Sequence, residues 1–318
     1  MRTETSKKYC VMKRFLGGCL CASVFTALTL GACSNEEDIP AVANNQLQVE
    51  ANLMSETKAV KTAWLNTDQI GLFAMQSASL SSGYYGEVTA PVIASYAATT
   101  SSWSLSPAVS LSSTPAYIYG YYPYSSTVSS GTSIPVTVDS QTDYLYSGSA
   151  QVASSSNPKV GLTMKHAMCV LSFNIKKSGY IGTGQLTSVK MQNKSGGTIW
   201  KSKGTMNCST GVITGTETLA YTLSCSKVIE DGGWGTSSPY LLAIPFSTGT
   251  SGDVEAVFTV DGKEYTVALP NNQIFSAASK YQLNLTINSG SMELDKTNML
   301  IQSWGADQTV DLGNVSAK

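Results

Sequence analysis

The chain has 318 residues, enough for more than one domain, and only 13% of them are charged. Five of its 20 basic and one of its 21 acidic residues precede position 33, so residues 33–318 carry 15 lysines against 20 carboxylates, a net charge of −5, and no arginine. A mildly acidic chain without arginine is poorly suited to phosphate, so we expect no nucleic-acid partner.

An apolar stretch near the N-terminus predicts a cleaved leader. A basic pair precedes the apolar residues 15–30, and Leu30-Gly31-Ala32 places small residues before Cys33. This arrangement resembles a bacterial lipoprotein signal, which implies a signal peptide over residues 1–32 and acyl chains such as palmitate on Cys33. Several acyl chains anchor a protein durably, at about 0.8 kcal/mol per buried CH₂. The alternatives are a secretory leader with a coincidental cysteine and a transmembrane helix, for which the run is short of about 20 residues.

Residues 33–45 are polar, acidic and contain a proline, and we interpret them as a tether between lipid and body. The acidic residues just after Cys33 resemble the signal that sends such lipoproteins to the outer cell surface. We therefore expect the protein at the cell surface, held on the outer membrane through its lipid anchor.

Alternation of apolar and polar residues predicts strands along the rest of the chain. In Gln46–Leu53 every second residue is apolar, the period of a half-buried strand. Asp261-Gly262 lies between two alternating runs and predicts a two-residue hairpin turn with positive φ at both positions. The same period predicts further strands at Ile70–Ala74, Ala116–Tyr119, Ile134–Val138, Cys169–Ile175, Leu186–Met191, Tyr240–Ile244, Val254–Val260, Tyr265–Leu269 and Tyr281–Ile287.

No stretch keeps a helical spacing of apolar residues for three turns, so the predicted fold is all-β. Many short strands with turn-rich gaps are typical of β-sandwiches. A break near Asn157-Pro158, or just after the strand that follows it, divides the chain into two similar halves. We expect an N-terminal β-sandwich domain over residues 46–168 and a C-terminal one over residues 169–318.

Little in the chain predicts catalysis. His166 is the one histidine and alternates with apolar neighbours, so a structural role is favoured over a place in a catalytic set. No phosphate loop, zincin helix or calcium loop occurs, and we expect no cofactor and no enzyme activity. Cys169, Cys208 and Cys225 remain once the leader is removed and Cys33 is acylated; the last two are either bridged or free.

A series of motifs resembles the fimbrillin family, the lipoprotein-derived subunits of type V fimbriae. The first half contains Thr57-Lys58-Ala59, Trp64-Leu65-Asn66-Thr67-Asp68-Gln69-Ile70, Tyr121-Tyr122-Pro123-Tyr124 and Asp143-Tyr144-Leu145-Tyr146. The second half contains Lys165-His166-Ala167-Met168, Leu242-Ala243-Ile244-Pro245, Lys280-Tyr281-Gln282-Leu283 and Ile301-Gln302-Ser303-Trp304. Taken in order, these motifs span nearly the whole mature chain.

The resemblance implies two transthyretin-like β-sandwich domains and assembly by donor-strand exchange with other fimbrial subunits. A trypsin-like protease removes the first strand, and a strand of the next subunit replaces it. Lys58 and Lys61 are the processing candidates, where family members usually offer arginine. The donor-strand candidates are Val310, Leu312 and Val315, with Met299–Trp304 as a further segment that could swing out.

The position of the subunit within a fimbria stays open, since stalk, anchor and tip subunits share this fold. A second class of function is a stand-alone surface lipoprotein that binds glycan or a host protein. Its binding surface would be the aromatic run Tyr117–Tyr124 or the loop Gly232–Gly235, although an aromatic run on a strand more often serves packing.

Overall fold

The structure is a computed structural model and describes residues 45–54, 61–249, 252–295, 299–303 and 306–310, with side chains as far as Ile301. The predicted signal peptide, nearly all of the tether, Cys33, Lys58, Leu312 and Val315 lie outside the described residues.

The largest sheet comes from the first half of the chain. Its strands occur in the order β1-β9-β7-β5-β2-β3-β4, and β8 pairs with β5 beside this path. The bounds are β1 Gln48–Leu53, β2 Gln69–Met75, β3 Val92–Ala97, β4 Ser102–Ser106, β5 Ala116–Tyr122, β7 Leu145–Tyr146, β8 Gln151–Ala153 and β9 Lys159–His166. One strand of this half, β6 (Ile134–Thr137), belongs to another sheet.

The second half supplies the remaining sheets. They run β15-β10-β20-β22-β23 with β21 on β20, β14-β11-β17-β18, β13-β12-β6, and β16-β19. The bounds are β10 Cys169–Lys177, β11 Gln185–Asn193, β12 Lys203–Met206, β13 Ile213–Glu217, β14 Tyr221–Val228, β15 Tyr240–Ala243, β16 Phe246–Ser247, β17 Val254–Val260, β18 Lys263–Ala268, β19 Ile274–Phe275, β20 Ser279–Ile287, β21 Met292–Leu294, β22 Leu300–Ser303 and β23 Ala306–Val310. A short 3₁₀ turn covers Gly235–Ser237.

The burial pattern explains which strands lie inside. Strand β2 is buried at six consecutive positions, as expected for a strand covered on both faces, whereas β1 buries only alternate residues. Phe73 of β2 belongs to a core cluster that extends into the second half, and its neighbour Leu72 belongs to a second cluster built from the first half alone. The largest sheet therefore has one apolar core on each face.

The all-β prediction is confirmed, and each of the ten predicted strands corresponds to a strand of the structure. The hairpin prediction is also confirmed, because Val260 and Lys263 pair across Asp261 and Gly262, whose φ angles are +48° and +79°. Further strands, among them β3, β4, β12, β13 and β14, had not been predicted; in β12 and β13, Thr, Gly and Lys dilute the alternation. The division into domains at residue 168 stays a prediction; β6 pairs with β12 across it.

Candidate functional site

Strand β1 lies at an edge of the largest sheet and pairs in parallel with β9, with Ala51 opposite Leu162. The amides of Gln48 and Met54 donate to carbonyls of the β9 side, so the even-numbered residues of β1 direct their backbone groups toward β9. Leu47, Val49 and Ala51 are buried against the second core cluster. One short strand thus both completes the hydrogen bonds of β9 and covers part of a core.

The opposite side of β1 faces β4, the other end of the same sheet. The two strands approach each other without forming a ladder, and a groove of about 380 Å³ lies between them, lined by residues 46–50 and 101–103 among others. Trp103 and Leu105 of β4 are half-buried and pack against the same core as β1. The sheet is therefore rolled around its core and left open at the β1–β4 seam.

Trp64 contacts β1 from the segment that follows it. Its indole Nε1 donates to the carbonyl of Ala51 at 2.7 Å. The ring packs edge-to-face on Trp103 and on Tyr122, with centroid distances of 5.0 and 5.6 Å. The hydrogen bond supplies a partner for a backbone carbonyl that points away from β9.

Lys61, one of the two predicted processing sites, is held inside a polar network. Its Nζ lies 2.6 Å from Asp68 Oδ2, and its side chain is only 11% exposed. The ammonium also lies over the ring of Tyr122, at 4.7 Å, while the Tyr122 hydroxyl donates to Asp68 Oδ1. Burial, together with the Asp68 carboxylate, raises the pKa of Tyr122. This lysine is a structural anchor of the segment before β2.

A second buried carboxylate continues the network inward. Asp143 Oδ2 accepts a hydrogen bond from the backbone amide of Lys61 at 3.2 Å and lies 2.9 Å from Nδ1 of His166. His166 is 1% exposed, so its ring is remote from any substrate in solution. The structural role predicted for this histidine agrees with its position in the interior.

Strands β22 and β23 lie at an edge of the six-stranded sheet. Strand β22 pairs with β20, and β23 pairs with β22, with Val310 opposite Ile301. Donor candidate Val310 therefore belongs to a terminal hairpin of its own subunit, while Leu312 and Val315 lie outside the described residues. A tail that donates a strand must first leave this edge.

The alternative binding surfaces are occupied by internal packing. In the aromatic run, Tyr119 and Tyr121 are 3% and 0% exposed. In the glycine-rich loop, Trp234 is half-buried and its indole donates to the Val228 carbonyl. The other rings of the aromatic run, Tyr117, Tyr122 and Tyr124, are half-buried.

The three cysteine thiols of the described residues are free. Cys169 and Cys208 are buried, and burial raises the pKa of Cys208 to about 12. The described part of the chain contains no cluster of three or more His, Cys, Asp or Glu that could hold a metal ion. Among the same residues, no helix is long and apolar enough to span a membrane.

The network had not been predicted as a site. Trp64, Asp68 and Asp143 entered the sequence analysis only as parts of family-like motifs, without a role. Asp68 pairs with Lys61 seven residues before it, whereas Trp64 contacts Ala51 across 13 residues and Asp143 contacts Lys61 across 82, and no local pattern indicates these distant pairings. Lys61 belongs to this network, and it is the predicted site residue whose side chain the structure describes.

Comparisons with solved structures show the same fold in proteins of low sequence identity. A Bacteroides uniformis protein assigned to cell adhesion aligns with 82% of this chain and 100% of its own, at 20% identity and a TM-score of 0.59. A fimbrial protein of Bacteroides vulgatus covers 82% and 100% at 15% identity and a TM-score of 0.56. A further protein assigned to cell adhesion, from Bacteroides ovatus, covers 83% and 99% at 18% identity and a TM-score of 0.55.

A comparison with curated proteins gives no match. The family model described as fimbrillin-like matches residues 57–304, which include β2 through β22 and the whole Lys61 network. This range is well over half of the chain, and it confirms the resemblance that the motifs indicate. The chain belongs to the fimbrillin-like family, which implies a location at the cell surface.

Proposed function

We propose that this chain is a structural subunit of a surface fimbria that polymerises by protease-triggered donor-strand exchange and supports adhesion. The observation that carries the proposal is the position of β1, an edge strand that fills part of a core and precedes both candidate lysines. Acyl chains on Cys33 would hold the precursor on the outer membrane until it is processed.

Loss of β1 would leave backbone groups unpaired and apolar residues uncovered until another strand takes its place. The edge of β9 would lose its ladder, and the core would lose Leu47, Val49 and Ala51. Unpaired strand edges recruit other strands, and each fully buried Val or Leu contributes about 1.5–3 kcal/mol. A strand from a second subunit supplies both kinds of contact, and an interface of this head-to-tail kind extends into a filament.

One of the two processing candidates, Lys61, is poorly accessible to a protease. A trypsin-like protease must take the substrate lysine into its own pocket, and Lys61 is already paired with Asp68 and nearly buried. We therefore place the cut after Lys58, which lies outside the described residues. The cut leaves the segment from Lys61 to β2 attached to the body.

Limited digestion of the full chain with trypsin tests this function. We expect a new N-terminus at Ala59 by mass spectrometry, followed by ladders of oligomers on a gel. Lys58→Gln should remain monomeric, whereas Lys61→Gln, as the matched control, should still be cut. Val310→Asp with Leu312→Asp should abolish the ladder and leave the subunit folded. Clipped protein that stays monomeric at high concentration would replace the stalk role with that of an anchor or a stand-alone binding protein.

A further inference from the structure

In β1, backbone direction and side-chain direction are coupled. The even-numbered residues direct their amides and carbonyls toward β9, so Ala51 directs its carbonyl away from β9. The odd-numbered residues, which direct their backbone groups away from β9, direct their side chains into the core. The carbonyl that Trp64 contacts therefore belongs to a residue with a buried side chain.

Trp64 is held by the body of the protein and not by β1 alone. Its ring packs on Trp103 and Tyr122, and the Lys61 ammonium lies 5.2 Å from its centroid. Asp68 secures the same segment, because its Oδ2 also accepts the backbone amide of Leu65 at 2.6 Å. Trp64 follows both candidate processing sites in the chain, so it stays with the body when β1 is cut away.

We propose that Trp64 is a positioning residue for whichever strand lies on β9: β1 before processing and, resting on the proposed function, the incoming strand of a second copy afterwards. The indole N–H is a fixed donor, and it needs a carbonyl acceptor on the residue that lies opposite Leu162 of β9. A strand that is parallel to β9 satisfies it, because the residue opposite Leu162 directs its carbonyl away from β9.

This geometry means that Trp64 recognises the backbone of the strand and not its sequence. Leu162 directs its own amide and carbonyl toward the strand beside it, so the residue opposite Leu162 directs its carbonyl outward in every hydrogen-bonded parallel register. A shift by one residue turns the apolar side chains of the strand to solvent but keeps a carbonyl at the indole. Side-chain burial therefore selects the register, and Trp64 fixes the selected strand to the rest of the subunit.

The test uses the full chain with Trp64→Phe, which keeps an aromatic ring and removes the N–H. An isosteric second variant carries β-(3-benzothienyl)alanine at position 64, in case phenylalanine loosens the fold. The matched control is Trp234→Phe, which removes an indole-to-carbonyl bond of 2.8 Å far along the chain from β1. Hydrogen exchange of the peptide covering residues 46–54 is measured by mass spectrometry before any cleavage.

We expect two- to tenfold faster exchange of residues 46–54 in both position-64 variants, the range for loss of one hydrogen bond, and no change in the control. After trypsin, a synthetic peptide with the sequence of residues 46–54 should dissociate faster from these variants by a similar factor. Unchanged exchange, or an equal change in the control, would overturn the proposal. If clipped protein takes up no strand at all, the proposed function fails alone, and the exchange measurement still decides the role of Trp64.

Discussion

His166 and Asp143 show how burial decides the role of single residues. The histidine ring and the carboxylate are 0% and 3% exposed as side chains, and they lie in contact at the end of β9. Lys61 adds a third group through its backbone amide. Together they attach the segment that contains Trp64 to β9, the strand that pairs with β1. Residues without contact to solvent therefore determine the geometry of an exposed sheet edge.

Replacement of His166 should therefore reduce stability. We expect His166→Ala to lower the free energy of unfolding by about 1–3 kcal/mol, because the buried Asp143 Oδ2 loses its contact with the imidazole Nδ1. His166→Asn, which retains a donor near Nδ1, should lose less. Urea unfolding followed by circular dichroism measures both, and a His166→Ala variant as stable as the wild type would contradict the structural role.

At the scale of the strand, β2 and β5 meet through a close approach between a glycine and an aromatic ring. Gly71 lies opposite Tyr121 in the ladder, and a Cβ at Gly71 would lie 2.1 Å from the tyrosine ring. Tyr121 is fully buried and also packs on Phe73, at 5.5 Å between centroids. The ring packs on the backbone of the glycine, so β2 and β5 can approach each other this closely only when position 71 has no side chain.

Two glycine substitutions in neighbouring parts of this sheet should thus behave differently. Gly71→Ala should cost about 1–3 kcal/mol or more, because the buried ring has no room to move. Gly161→Ala in β9 is the matched control: apart from its chain neighbours, no atom of the described residues lies within 4 Å of the added Cβ, and the substitution should be neutral or stabilising by about 0.4–1 kcal/mol. Urea midpoints of the two variants compare them directly, and equal midpoints would show that the ring does not constrain position 71.

At the scale of the whole molecule, the two halves of the chain share a core. Phe73, Tyr119 and Tyr121 of the first half belong to the same apolar cluster as Trp200 and Phe258 of the second. Strand β6 extends this connection by pairing with β12, so that Val136 lies opposite Gly204. Neither half can lose its structure without exposing apolar surface of the other.

Both halves should accordingly unfold together. Pulsed hydrogen exchange across a urea series, read on peptides from β9 and from β11, should give one midpoint. Val136→Ala should lower both midpoints equally and cost about 1–3 kcal/mol, since Val136 is 2% exposed. Two separate midpoints would mean that the shared cluster contributes little to cooperativity.

The sequence predicts those features that depend on neighbours in the chain. The alternation in Val254–Val260 and the Asp261-Gly262 turn locate a hairpin, because side-chain direction and positive φ are local properties. Strand β14 escapes prediction, since its half-buried positions carry residues as different as Tyr221 and Lys227. From sequence, Lys61 is a candidate processing site, and only its pairing with Asp68 in the structure shows that it is an anchor.

The sequence by itself determines the all-β class, the family and the positions of the principal strands, because each rests on residue order and on a period of two. Only the tertiary structure decides that β1 is parallel to β9, that the tail hairpin occupies the edge beyond β20, and that Trp64 donates to Ala51. Ala51 faces Leu162, 111 positions along the chain, as the register of the two strands records. Such pairings follow from how a complete sheet rolls around its core, and no short stretch of residues contains that information.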